Sequence, residues 1–185
     1  INANSGSMWL WKIDGSSGSL DWDSVSISGT DSDNDAPRLK LPGPVVTQLD
    51  SDAAPEMIVT LPSDTNGRDN GYGAQFVGFE LTSTDEIFRF RAQNGYADAM
   101  PTPVDTDEDG ITDRLCWVTW YSTSSVSFNR EGMVGCHDLT LDTPLKEWVK
   151  VMNRGNSGND NDEIAASPVI VLDLDGQEPH EVIVG

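Results

Sequence analysis

Nine residues, Asp105-Thr-Asp107-Glu-Asp109-Gly110-Ile-Thr-Asp113, set four aspartates at the first, third, fifth and ninth positions of a loop around one glycine. Acids at alternate positions of a tight loop turn inward together. The resulting all-oxygen cage suits calcium, which takes roughly six to eight carboxylate and carbonyl ligands. Gly110 relieves the sharp turn, the carbonyl of Ile111 is a further candidate ligand, and Asp113 closes the ring. Without a cation, four carboxylates this close would repel one another, which favours metal binding over a solvated acidic turn. Magnesium tends to keep several of its waters, so calcium is the expected ion.

Two further loops carry the same spacing in weaker form. Asp173-Leu-Asp175-Gly-Gln177-Glu-Pro-His-Glu181 keeps acids at positions one, three and nine, with Gln177 at the central acid's place and Glu178 where the glycine would be. A weaker calcium site is expected there, with Asp173, Asp175, Gln177 and Glu181 as ligands. Gln48-Leu-Asp50-Ser-Asp52-Ala-Ala-Pro-Glu56 has lost the first acid and the glycine. Its Asp50, Asp52 and Glu56 could bind an ion or form a structural turn, and both readings stay open. Two more acidic runs, Asp31-Ser-Asp33-Asn-Asp35 and Asn159-Asp160-Asn161-Asp162-Glu163, lack the glycine-x-x-acid closure and read as solvated loops.

These loops sit in an acidic chain. Its 185 residues hold 31 Asp and Glu against 11 Lys and Arg, a formal net charge of −20. Such a surface repels phosphate backbones, so nucleic acid is not an expected partner. No apolar run is long enough to span a bilayer, and no basic-then-apolar leader opens the sequence. The chain starts at Ile1, as a processed mature form or a piece of something longer would.

The elements that must position the loops are strands. Short apolar or alternating runs recur at Met8–Ile13, Val45–Leu49, Met57–Leu61, Phe76–Leu81, Ile87–Phe90, Leu115–Trp120, Met133–Leu139, Trp148–Met152, Val169–Leu174 and Val182–Val184. Clusters of Gly, Asp, Asn and Ser separate them, and no long stretch keeps a helical period, so an all-β fold with hairpin turns is predicted. The strands form a repeat. Pro44 to Val59, Pro103 to Val118 and Pro168 to Val184 each read as strand, acidic loop, strand. Between them lie strand–turn–strand segments that end in an aromatic: Trp9 to Trp22, Phe76 to Phe88 and Met133 to Trp148. Together the two make a four-stranded antiparallel unit of roughly sixty residues, within reach of a β-propeller blade.

The phase of the repeat gives complete blades at 44–92 and 101–153 and half-blades at 1–30 and 167–185. About three blades' worth cannot close a ring of roughly four to eight. The expectation is a segment of a larger ring of roughly seven or eight blades, or one completed by blades of another chain.

Other residues could carry chemistry. Cys116 and Cys136 fall on adjacent strands of one unit, where a hairpin centred near residue 126 would set them opposite each other. They are either a cross-strand disulfide or two buried thiols. His137 and His180 stand in different repeats with no base–nucleophile pairing around them, and read as structural. Trp9, Trp11, Trp22, Phe88, Phe90, Trp117, Trp120 and Trp148 recur at equivalent strand positions, which predicts packing between blades more than a sugar-stacking platform.

The loop units resemble the FG-GAP or VCBS repeats of integrin-α-like propellers, whose pattern is Asp-x-Asp-x-Asp-Gly-x-x-Asp/Glu before an apolar strand. Asp105 to Asp113 matches in full, and Asp173 to Glu181 and Gln48 to Glu56 match in part. The intervening segments are similar to pyrroloquinoline-quinone-type propeller repeats, with Trp11 to Trp22 the nearest example, and Asp105 to Trp117 also looks like the propellers of pilus-tip adhesins. The resemblance implies calcium-stabilised blades in an extracellular, cell-surface or periplasmic protein. Its role would be adhesion, ligand binding or surface and filament assembly, with a protein or glycan as partner. It does not carry over quinone chemistry. The rival expectation is a carbohydrate-active propeller such as a calcium-dependent polysaccharide lyase. That enzyme would need a basic residue beside a loop carboxylate, for which Lys12, Arg38, Lys40 and Arg114 are the candidates.

Overall fold

A computed structural model of the chain describes residues 7–13, 15–28, 42–61, 73–83, 85–92, 95, 97, 99–122, 130–140, 143–152, 168–175 and 180–184. Among them are twelve strands and no helix, and therefore no helix long and apolar enough to cross a membrane. Strands β1 (Ser7–Ile13) and β2 (Leu20–Ser28) form an antiparallel hairpin. Strands β3 (Val45–Thr47), β4 (Glu56–Leu61), β5 (Gln75–Glu80) and β6 (Glu86–Arg91) form a four-stranded sheet in chain order. The second four-stranded sheet repeats this plan with β7 (Thr102–Val104), β8 (Arg114–Ser122), β9 (Arg130–Asp138) and β10 (Leu145–Met152). Strands β11 (Ile170–Leu172) and β12 (Glu181–Ile183) form a last hairpin. Every pairing is antiparallel.

The sequence explains which strands lie inside. β4 and β5 read as nearly unbroken apolar runs, Glu-Met-Ile-Val-Thr-Leu and Gln-Phe-Val-Gly-Phe-Glu, and are buried on both faces apart from Glu80. At the sheet edge β6 alternates instead, burying Phe88 and Phe90 while Arg89 and Arg91 stay half-buried. The β1–β2 turn at Gly15–Ser17 is followed by Gly18 at φ +69°, a left-handed position that glycine adopts without strain.

The sheets are glued by apolar layers. Ile58, Phe76, Phe88 and Phe90 of the first sheet meet Leu115, Trp117 and Met133 of the second. On the other face of the second sheet, Val104, Cys116, Val118, Val134 and Cys136 meet Val169, with Val171, Val182 and Val184 beside it. Met57, Val59, Leu61, Val77 and Phe79 line the remaining face of the first sheet. Each four-stranded sheet is thus covered on both faces, as a stack of sheets requires. The layer between the two full sheets includes Phe76 stacked on Trp117 at 6.1 Å and Phe90 stacked on His137 at 3.9 Å.

Two glycines make room for these rings. A Cβ on Gly78 would lie 2.6 Å from the Phe88 ring, and one on Gly135 would lie 2.7 Å from Trp117 and 3.0 Å from the Trp148 carbonyl oxygen. The sequence repeat aligns the two, but they floor the same layer from opposite sides. The reason is a register difference. Thr47 stands opposite Glu56 at the mouth of the first loop, whereas Val104 stands opposite Arg114, one residue beyond Asp113. The Asp113 N–H still reaches the Val104 carbonyl at 3.0 Å, so the extra residue is absorbed where the loop joins β8. A one-residue slip moves every following side chain to the other face. Ile58 therefore faces the sheet that follows its own, while Leu115, at the same place after its loop, faces the sheet before.

Polar contacts tie neighbouring sheets at their first strands. Thr47 Oγ1 lies 2.6 Å from Thr112 Oγ1, and the Thr112 N–H donates to the Gln48 carbonyl at 2.7 Å. Thr102 Oγ1 donates to the Val169 carbonyl at 2.7 Å in the same way. The final hairpin leaves Ile170 and Ile183, a cross-strand pair, 54% and 42% exposed on its far face.

Candidate metal-binding loops

The three acidic loops occupy equivalent places, between β3 and β4, β7 and β8, and β11 and β12. All three are shut by one latch. The N–H of the second loop residue donates to the carboxylate of the ninth: Leu49 to Glu56 Oε2 at 2.5 Å, Thr106 to both oxygens of Asp113 at 3.2 Å, and Leu174 to Glu181 Oε2 at 2.8 Å. Inside the loops, short turns hold the acids. The Asp52 and Ala54 N–H groups donate to Asp50 and Asp52 at 2.8 and 2.6 Å, and the Asp109 and Ile111 N–H groups donate to Asp107 and Asp109 at 3.4 and 2.8 Å. Asp175 N donates to Asp173 Oδ1 at 3.2 Å. Aspartate side chains favour such local bonds to backbone two residues on.

The latch and turns gather carboxylates. Asp105, Asp107 and Asp109 each bring one oxygen within 4.8 Å of the others, as do Asp50, Asp52 and Glu56, and Asp173, Asp175 and Glu181. Asp113 lies outside its loop's cluster, with its oxygens on the Thr106 N–H and hydroxyl. Ile111 contributes an N–H to Asp109. Gln177 lies outside the described residues, as do the two acidic runs at 31–35 and 159–163.

The loops differ in how they are filled. In 105–113 the chain turns through left-handed Glu108 (φ +61°) and Gly110 (φ +93°), and the Gly110 N–H donates to Asp105 Oδ2 at 2.7 Å. The other oxygen, Asp105 Oδ1, is shut from solvent with no hydrogen-bond donor. In 48–56 the first position is an amide. Gln48 Nε2 donates to the carbonyls of Asp52 at 2.6 Å and Asp50 at 2.9 Å, with Ala54 at 3.5 Å. Glu56 is fully buried, and its Oε1 has no donor. Burial raises its pKa, the Leu49 N–H opposes the rise, and the charges of Asp50 and Asp52 add to it. Buried carboxylate oxygens without donors are costly, and a hard cation is the partner that satisfies several at once. The donor set, carboxylates and carbonyls without sulfur or imidazole, fits calcium and not zinc or copper.

Sequence reasoning missed Glu80. It ends β5, faces Glu56 across the β4–β5 seam, and has a buried Oε2 with no donor. Only the cross-strand register sets it opposite Glu56, and its oxygens lie outside the Asp50–Asp52–Glu56 cluster.

The other singled-out residues are placed as follows. Cys116 and Cys136 are directly opposite in register and joined, with Cα atoms 4.1 Å apart, and both are buried. His137 is buried and accepts a hydrogen bond at Nδ1 from Trp117 Nε1 at 3.0 Å, so it is the neutral Nε2–H tautomer. Burial, and then the nearby charge of Lys146, lower its pKa from 6.5 to about 4. Phe88, Phe90 and Trp117 are packed between sheets, but Trp148 is 38% exposed at the edge strand β10. The side chains of Trp9, Trp11, Trp22, Trp120 and Lys12, and residues Arg38 and Lys40, lie outside what is described. Arg114 is paired with Glu147 at 3.0 Å. Comparison with protein-family models, curated proteins and solved structures gave no match.

Proposed function

We propose that this chain is a run of calcium-stabilised β-propeller blades, serving as an extracellular module for adhesion, ligand binding or surface assembly and not as an enzyme. The observation that carries the reading is the common latch: three loops, each between the first two strands of a sheet, are closed by the same bond and each gathers three carboxylates. Repetition of an acidic cage at one place in a repeat is what a structural ion needs, since catalysis requires one site and not three. The blade reading is supported by sheets that run in chain order and pack face to face with their neighbours. The Cys116–Cys136 bond favours an oxidising compartment. The partner is a protein or glycan surface, or further blades of the same or another chain.

A cation that binds only the folded loops adds its binding free energy to stability. Melting temperature is therefore expected to rise by several degrees in millimolar calcium and to fall back on adding chelator. A melting curve indifferent to both would overturn the reading.

A further inference from the structure

We propose that the cation site of loop 48–56 is completed from outside the loop by Glu80, whose carboxylate replaces the acid lost at Gln48. The inference rests on the calcium reading of the loops and goes beyond it by drawing a residue from strand β5 into the site.

A cluster of three acids alone would not carry this. The further observation is a pair of oxygens. Glu56, fully buried, points into the cluster with Asp50 and Asp52 while its Oε1 has no donor. Directly opposite, Glu80 has a buried Oε2 that also lacks one. Two carboxylates side by side on one face of a sheet are a destabilising arrangement unless something positive is shared between them.

The charge count makes the same point. Loop 105–113 carries Asp105, Asp107, Asp109 and Asp113 within its own nine residues. Loop 48–56 carries Asp50, Asp52 and Glu56, with a neutral amide in first place. Both loops gather three carboxylates, Asp113 being held by Thr106 outside its cluster, and Glu80 brings the acids at loop 48–56 to the same total of four. In the second sheet the residue across from the start of the strand is Asp138. It stands opposite Arg114, and its Oδ1 is taken by the Thr140 N–H at 2.8 Å and hydroxyl at 2.6 Å. The second sheet thus keeps this acid occupied. In the first loop, Gln48 holds three carbonyls through its Nε2, and turning the amide offers Oε1 to an ion without adding charge.

The test is calcium titration by calorimetry on the full chain, with Asp107→Asn and Asp175→Asn silencing the other two loops. One site is expected to remain in that background. Glu80→Gln should weaken it tenfold or more, and adding Gln48→Asp should recover most of the loss. In chelator, Glu80→Gln is expected to melt no lower than its parent, because it removes a repulsion and not a bond. A site that persists unchanged in Glu80→Gln refutes the role of Glu80 and leaves the calcium reading intact. Loss of all binding in the silenced background, with binding kept in the wild type, refutes a site at loop 48–56. A wild type that takes up no calcium removes the calcium reading itself.

Discussion

The two complete sheets share one plan and hold it with different chemistry. In the first, the amide of Gln48 braces the carbonyls inside the loop, and the seam behind it sets two glutamates face to face. In the second, the loop carries four aspartates and a left-handed glycine, the seam behind it sets Arg114 against Asp138, and a disulfide crosses β8 and β9. The position opposite the second residue of strand two is Phe79 in one sheet and His137 in the other. The lesson is that a repeated backbone keeps one latch at each loop but leaves open what braces the chain around it. An amide inside the loop or a covalent bond across the next two strands can each do so while the apolar layers hold the strands in register.

Three changes would break or sharpen that comparison. The largest effect belongs to the disulfide, which the first sheet lacks. Its cysteines are 20 residues apart, and releasing a loop of that size costs about 3 kcal/mol in the chain-entropy account. Cys116→Ala with Cys136→Ala should lower the unfolding free energy in urea by about that amount, and a loss under about 1 kcal/mol would show that the layers alone hold the second sheet.

Next is the histidine. Its pKa is about 4 in the folded chain against 6.5 for the free side chain, so the unfolded chain takes up the proton first. The stabilisation is complete above pH 6.5 and is lost as pH falls towards 4. Between pH 6.5 and about pH 5 the histidine's own share of the loss is expected to be about 2 kcal/mol. His137→Phe, which copies Phe79, should flatten this part of the pH–stability profile even if it is less stable at neutral pH through loss of the Trp117 partner.

The smallest effect separates the two turns. Gly110 at φ +93° occupies the sixth loop position, where the first loop has Ala53 with no left-handed backbone. Gly110→Ala should cost about 1 kcal/mol, whereas Ala53→Gly should cost only what the added chain freedom does, a few tenths of that. Equal costs, read from matched urea melts, would mean that the two loops do not differ in backbone shape.

What the sequence disclosed was local. Acid spacing announced the three loops because ligands and turn residues lie within nine positions of one another, and alternation announced the strands because side-chain direction has a period of two. The all-β class with four-stranded antiparallel units was legible for the same reason. What escaped depends on pairing. The slip between loop and β8 leaves the spacing of acids untouched and changes only which hydrogen bonds form, so the alignment of Gly78 with Gly135 looked sound while the two residues face opposite ways. Glu80 is distant from Glu56 along the chain and meets it only across the seam. Acid spacing picked out Asp113, but its contact with the Thr106 N–H and hydroxyl is a matter of loop folding that spacing does not disclose. Trp148 was expected inside on the strength of its repeat position, yet β10 is an edge strand and half of its surroundings are solvent.

The bond from the Thr112 N–H to the Gln48 carbonyl is one amide hydrogen spanning two sheets. Such a proton is a gauge. Its exchange with deuterium reports the parting of the sheets, while the amides of β8 and β9 report the opening of a sheet itself. Followed in the presence and absence of calcium, that single signal would tell whether an ion stiffens only its own loop or the hinge line between neighbours.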